Sequence, residues 1–227
     1  MTQTVILSNN TMLKESSEGN TGIYYFPPPF VYYSEVHDHE KIKEKLLLEI
    51  EQNIEENSDK IKNDWFCDVT SSFHFDDGEF LVRNDDLIGA IWNAYNECIY
   101  FLEQDCWLDG GLTEKFKNTF ITDIWYNKYE VGGNQEIHNH CKFPMSGIYF
   151  LENTGNANTT WWYGSHNIFP GGHSDYLSFN QKIFPEDRVI SKVGEGYIVL
   201  FPGPLPHYVP NTMHKKTTIS FNFSFEE

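Results

Sequence analysis

Cationic side chains, paired cysteines and long apolar runs are all scarce in this chain, and each scarcity removes a class of function. Sixteen Lys plus Arg stand against thirty-three Asp plus Glu in 227 residues, a formal net charge of -17. That sign repels phosphate backbones and anionic lipid headgroups, so nucleic-acid binding is disfavoured. The four cysteines (Cys67, Cys98, Cys106, Cys141) form no C-x-x-C, which indicates neither a disulfide framework nor a thiolate zinc site; reduced and mostly buried thiols are expected. No apolar run approaches membrane-spanning length, and "MTQTVILSNNTMLKESSEGN" lacks the basic start and apolar stretch of a secretory signal. The expectation is a soluble, intracellular, cytoplasmic protein with no membrane partner.

What is present is organised in two halves. Residues 1–22 are polar and Gly/Ser/Asn-rich, which predicts a flexible arm; residues 23–227 are expected to form one domain. "IYYFPPPFVYY" carries Pro27, Pro28 and Pro29, which force an extended backbone between aromatics suited to packing on a core. Ile42, Leu46, Ile50 and Ile54 at four-residue steps, with Asp38 as N-cap, predict an amphipathic helix. A second helix is predicted over about Asp85 to Gln104, where Leu87, Ile91, Tyr95 and Leu102 share a face. Helical support thus occupies about 38–105, with a strand or two expected in "WFCDVTSSFHF". From about 119 to 225 the period changes to alternation: "FITDIWYNKYEV", "MSGIYFLE", "NTTWWYGS", "GYIVLFP" and "TTISFNFSF" are short, aromatic or β-branched, and divided by Gly, Pro and Asn. This predicts a mainly β fold with N-terminal helices, its core an antiparallel sandwich or jelly roll.

Chemistry concentrates in the histidines. In an extended segment His138 and His140 point the same way, with Asn139 opposite. Two imidazoles on one side of a strand suit adjacent positions on a metal, and "FPGPLPHYVPN" supplies His207 at the end of another strand as a third ligand. Three protein ligands with open positions suit catalysis better than structure. Two surface histidines and one core histidine are the alternative that spacing alone leaves open. A second H-x-H, His37 and His39, sits at a predicted helix start among charged residues and is read as solvated.

In "KTTISFNFSF", Ile219, Phe221, Phe223 and Phe225 form one face while Lys216, Thr218, Ser220, Asn222 and Ser224 form the other. The polar face either meets water or lines the inside of the roll. If it turns inward, Lys216 with Thr218 two residues on makes a carboxylate clamp by charge-assisted hydrogen bonding. A metal site beside such a clamp describes a chelating keto acid.

Taken in order, "HNHCKFPMSGIYFLE", "VGEGYIVLFPGPLPHYVPN" and "KTTISFNFSF" resemble the iron(II)- and 2-oxoglutarate-dependent dioxygenases, in the branch whose motifs run H-x-H, S-G-V-Y-Y, L-x-L-F-P, H-x-V and R-I-S-I-x-F-[ND]. The resemblance implies a double-stranded β-helix, the cupin-like jelly roll, and the ligand set His138, His140 and His207. His140 stands where most of the superfamily has Asp or Glu. Lys216 falls at the arginine that holds the far carboxylate of 2-oxoglutarate, and Thr218 at its serine partner. Lys215 has the opposite parity. Trp125, Asn127 and Tyr149 are read as further walls of the cofactor site, with plain core packing the alternative for each.

The resemblance further implies Fe(II) as cofactor, 2-oxoglutarate and O2 as co-substrates, release of succinate and CO2, and hydroxylation of a small-molecule or peptide substrate. Apart from the resemblance, the sequence leaves a homodimer open and does not fix the oligomeric state. Two rivals stay open: a cupin-type metal-dependent dioxygenase or isomerase that does not use 2-oxoglutarate, and a catalytically inactive jelly-roll binding module. "TTWWYGSHNIFPGGHSDYLSFN", with His166 and His173, is read either as a substrate-covering loop region or as Gly-rich turns between strands.

Overall fold

The computed structural model describes residues 3–7, 11–15, 21–25, 30–61, 67–75, 78–104, 110–154, 160–164, 174–179, 188–190 and 193–226. Pro27, Pro28, Pro29, Trp65, Phe66, Cys106, His166 and His173 lie outside them. In chain order the elements are β1 (Gln3–Leu7), β2 (Thr11–Glu15), β3 (Thr21–Tyr25), β4 (Phe30–Glu35), α1 (His39–Glu56), β5 (Thr70–Ser71), α2 (Glu79–Val82), α3 (Asp85–Gln104) and α4 (Gly110–Lys117). There follow β6 (Thr119–Tyr129), β7 (Gln135–His138), β8 (Met145–Asn153), β9 (Thr160–Gly164), β10 (Ser174–Phe179), β11 (Arg188–Ile190), β12 (Tyr197–Phe201), β13 (His207–Val209) and β14 (Lys216–Phe225).

The helical layer follows from the apolar spacing. Ile42, Leu46 and Ile50 of α1 are buried, each worth roughly 1.5–3 kcal/mol of transfer free energy, while Leu48 on the other side is exposed. Asp38 occupies the N-cap position but its side chain caps nothing. The entry to α1 is fixed by the backbone instead, through Val36 N–H donating to Gly196 O at 2.8 Å. α3 runs over the span its periodicity predicts and is capped by Asn84 Oδ1, which accepts from Leu87 N–H at 3.0 Å. "WFCDVTSSFHF" yields only the two-residue β5 and a 3-10 turn over Ser72–His74 among its described residues.

The strands form a larger sheet in the order β1-β2-β3-β4-β12-β8-β14-β6-β5 and a smaller one in the order β11-β10-β9-β13-β7. Two of the larger sheet's strands, β1 and β2, come from the predicted polar arm, and β3 begins at its end. Alternation along β14 sorts the layers. Ile219, Phe221 and Phe223 join Tyr126, Tyr149 and Leu200 against α1 and α3, so the helices cover one face of the larger sheet. The other face looks toward the smaller sheet, with Ile148, Phe150, Val199 and Phe201 filling one part of the gap and Val69, Tyr129 and Val209 another. Two facing sheets with consecutive strands shared between them are the jelly roll that the alternating segments predict.

Gly147 is required by this packing. A Cβ there would stand 2.2 Å from the Phe221 ring, its neighbour across β14, so only glycine lets the two middle strands close under that ring.

Candidate metal centre

β7 and β13 lie side by side in the smaller sheet with His138 directly opposite His207. His140 follows β7 in a turn whose position is set by backbone: its N–H donates to Gly203 O at 2.7 Å. A Cβ on Gly203 would meet His140 O at 2.6 Å and Phe143 O at 2.2 Å. That close approach ties the loop carrying His140 to the loop leading into His207.

The three imidazoles converge. Their ring centroids are 4.2 Å apart for His138 and His207, 5.1 Å for His140 and His207 and 5.4 Å for His138 and His140. One nitrogen from each lies within 4.8 Å of the others. The tautomers follow from the partners. His138 Nδ1–H donates to Glu136 O at 2.8 Å and His207 Nδ1–H to Leu205 O at 3.0 Å. His140 Nδ1–H donates to Asn222 Oδ1 at 2.6 Å. With Nδ1 carrying the proton in all three, every Nε2 keeps its lone pair for a metal.

Burial holds these rings neutral. It lowers His138 to about 4, with His140 nearby adding to the fall. His140 is lowered by burial as well, and so is His207, by burial first and then by its two neighbours. A neutral imidazole is the form that binds metal, so burial favours the ligating form of all three.

Of the two directions that alternation left open for the polar row of β14, Lys216, Thr218, Ser220 and Asn222 take the inward one. Lys216 and Thr218 are buried. The Lys216 ammonium sits 5.1 Å from the Tyr129 ring centroid and 5.3 Å from that of Phe150, a cation held by aromatic faces. Burial lowers its pKa to about 7. Lys215 pairs instead with Glu130 at 3.1 Å on the surface.

Trp125 and Asn127 share the chamber wall with Thr218 and Ser220. Trp125 stacks on His140 at 5.7 Å. Asn127 Nδ2 donates to Ser220 Oγ at 3.0 Å while its Oδ1 is buried without a partner. Turned over, this amide would accept from the Ser220 hydroxyl and offer NH2 to an anion, so the residues present fit a carboxylate. The inner chamber measures only about 10 Å³, close to the room of one water, so a five-carbon diacid would have to displace its walls to enter. Trp125, His138 and His140 also line a second cavity of about 380 Å³, together with Phe73, Glu136, Lys142 and Phe143 among others.

Three sequence expectations change. Tyr149 does not wall the metal chamber: it lies on the helix-facing side of β8, and its hydroxyl is 2.7 Å from His39 Nδ1. His39, read as solvated, is largely buried there, with Nε2 3.4 Å from Glu195 Oε1, which also pairs with Lys43. His39, Glu40 and Glu195 are close enough to count as potential ligands. The Lys43 ammonium on Glu195 already compensates the carboxylate, however, and the cluster serves to fasten α1 to the β12 turn. Cys141 is exposed at the cavity mouth rather than buried, and Cys67 and Cys98 are likewise free thiols. Sequence reasoning missed Asp123, which contacts Asn222 behind His140; the alternate residues Asp123, Trp125 and Asn127 were its available signal.

Residues 123–224 match the protein family described as "Putative 2OG-Fe(II) oxygenase". No curated protein matches the chain. Among solved structures, a prolyl-4-hydroxylase from Pseudomonas putida is similar at 11% identity, over 87% of this chain and 93% of that one, with a TM-score of 0.46. A viral collagen prolyl hydroxylase from Paramecium bursaria Chlorella virus-1 is similar at 12% identity over 84% and 94%, with a TM-score of 0.45. An oxidoreductase of the 2OG-Fe(II) oxygenase family from Burkholderia pseudomallei is similar at 11% identity with a TM-score of 0.33; that match spans 47% of this chain and 45%, under half, of the other. Scores of this size carry nothing about substrate. Among the described residues no helix is long and apolar enough to cross a membrane.

Proposed function

We propose that this chain, whose residues 123–224 match the family described as "Putative 2OG-Fe(II) oxygenase", hydroxylates its substrate, using O2 and 2-oxoglutarate and releasing succinate and CO2. The observation that carries this reading is the convergence of three imidazoles, each with Nδ1–H engaged and its Nε2 lone pair left for a metal, beside a buried cation on β14. Bound iron supplies the redox chemistry, one oxygen atom of O2 going to succinate and the other to the product.

The chain's own groups bind, orient and exclude. His138, His140 and His207 would hold the metal through Nε2 and leave its remaining positions to co-substrate and O2. Lys216 attracts the far carboxylate as a point charge, and Thr218 on the same face supplies a hydroxyl, because an ammonium lacks the planar fork of arginine. Trp125 against His140 and Phe201 against His207, at 4.7 Å between ring centroids in the latter pair, keep water from the back of the site. The aromatic mouth and the net charge of -17 favour a neutral or cationic small molecule or peptide as substrate over nucleic acid.

The test is succinate formation by iron-loaded protein supplied with a pool of small molecules and peptides. Succinate is expected only when 2-oxoglutarate and O2 are both present. Oxygen uptake without succinate would instead mark a cupin-type dioxygenase, and iron content at background would mark an inert binding module.

A further inference from the structure

The three histidines are not held alike. His138 and His207 each donate to a backbone carbonyl two residues earlier, whereas His140 donates to a side chain, Asn222 Oδ1, at 2.6 Å. The same oxygen accepts from Ser146 Oγ at 2.7 Å, and Asn222 Nδ2 donates to Asp123 Oδ2 at 3.1 Å. Every bond points one way, from imidazole through amide to carboxylate. The amide cannot be turned over without setting its oxygen against the Asp123 carboxylate, acceptor against acceptor.

The sheet builds this relay. Asn222 is paired with Asp123 of β6 on one side and with Ser146 of β8 on the other. Directly beyond it the β14–β6 register slips, so that Phe223 faces Ile121 and Thr122 is the extra residue. A bulge reverses which side chains face inward. Ile121 accordingly packs with the helix-facing core, while Asp123, two residues from Trp125, falls in the row that faces the chamber.

We propose that Asp123, acting through Asn222, is a positioning residue that returns to His140 part of the anionic character its place lacks when histidine stands there instead of a carboxylate. The inference rests on the metal-centre reading above. Three neutral imidazoles leave a divalent ion two full charges, and a carboxylate ligand would leave one. A carboxylate behind a ligating imidazole polarises the intervening bonds and raises the basicity of the donor nitrogen. Of the three ligands, only the one at the superfamily's carboxylate position has such a backing.

Asp123 is partly exposed, so Asp123→Asn keeps an acceptor for Asn222 and removes only charge. Cobalt(II), a redox-stable probe for the iron site, is titrated by visible absorption. Asp123→Asn is expected to weaken its binding about tenfold, the low end of the range for such outer partners. Returning the charge one residue closer, as Asp123→Asn with Asn222→Asp, is expected to restore affinity. In a His140→Ala background Asp123→Asn is expected to change nothing further. Unchanged affinity in Asp123→Asn, no rescue by the swap, or the same loss in the His140→Ala background overturns the relay. Failure of the wild-type protein to bind cobalt overturns the metal centre itself, a distinct result.

Discussion

Lys216→Met is expected to leave iron binding intact, weaken 2-oxoglutarate binding and make the protein harder to melt. A charge-assisted hydrogen bond contributes about 1.5–3 kcal/mol, so the Kd for the co-substrate rises about 10- to 150-fold. The stability gain has a separate cause. Lys216 is fully buried, and burial lowers its pKa from the ordinary lysine value to about 7. The unfolded chain therefore takes up the proton at higher pH than the folded one. As pH falls from about 10.5 toward 7, folding loses stability to this group, and below 7 the loss is complete. Methionine, similar in length and without charge, removes that cost. Replacing buried ionic groups by apolar ones has yielded about 1–4 kcal/mol elsewhere, equivalent to ~2–4 °C in Tm per kcal/mol for a chain of this size. The gain should be greatest at and below neutral pH and fade in alkali. Co-substrate affinity of the unmutated protein should likewise fall above pH 7, as the ammonium is lost. Calorimetric titration with 2-oxoglutarate and thermal melts across pH check both halves; equal loss of iron and co-substrate affinity in Lys216→Met would mean that the clamp is assigned to the wrong residue.

His207→Ala is expected to abolish iron retention and reduce turnover more than a hundredfold, since loss even of a partner behind a ligand costs 10- to 100-fold. His39→Ala provides the contrast. It removes a histidine of the other H-x-H and leaves Tyr149 hydroxyl without its 2.7 Å partner, a cost of about 1–3 kcal/mol in stability, yet iron content should be unchanged. Metal analysis of the two purified variants, with melting curves, separates the two histidine pairs. Iron lost equally from both would place the site elsewhere.

The contrast between these pairs marks what the amino-acid order could convey. Local periodicity sufficed for α3 and for the two faces of β14, because one side of each is strongly apolar and the other is not. It failed for β8. From Met145 to Leu151 every residue is buried, since the strand is covered by helices on one face and by the smaller sheet on the other. No alternation is then visible to say which side Tyr149 takes. His39 was misread for another reason: its partners Tyr149 and Glu195 are distant in sequence, and only the pairing of β12 with β8 and β4 brings them to the start of α1. The ligand triad itself was legible because alternation and strand-end placement are local properties. The Asp123 relay was not, because Asn222, which links Asp123 to His140, is distant from both in sequence and only the pairing of β14 with β6 brings it between them.

The central claim is that three imidazoles and an inward-facing ammonium together hold iron and a chelating keto acid. Anaerobic addition of 2-oxoglutarate to the iron(II)-loaded protein tests it most directly, by absorption in the visible range. A charge-transfer band that saturates with 2-oxoglutarate, needs higher concentrations in Lys216→Met and is missing in His207→Ala is the predicted result. A folded wild-type protein with confirmed iron that develops no such band would contradict the account.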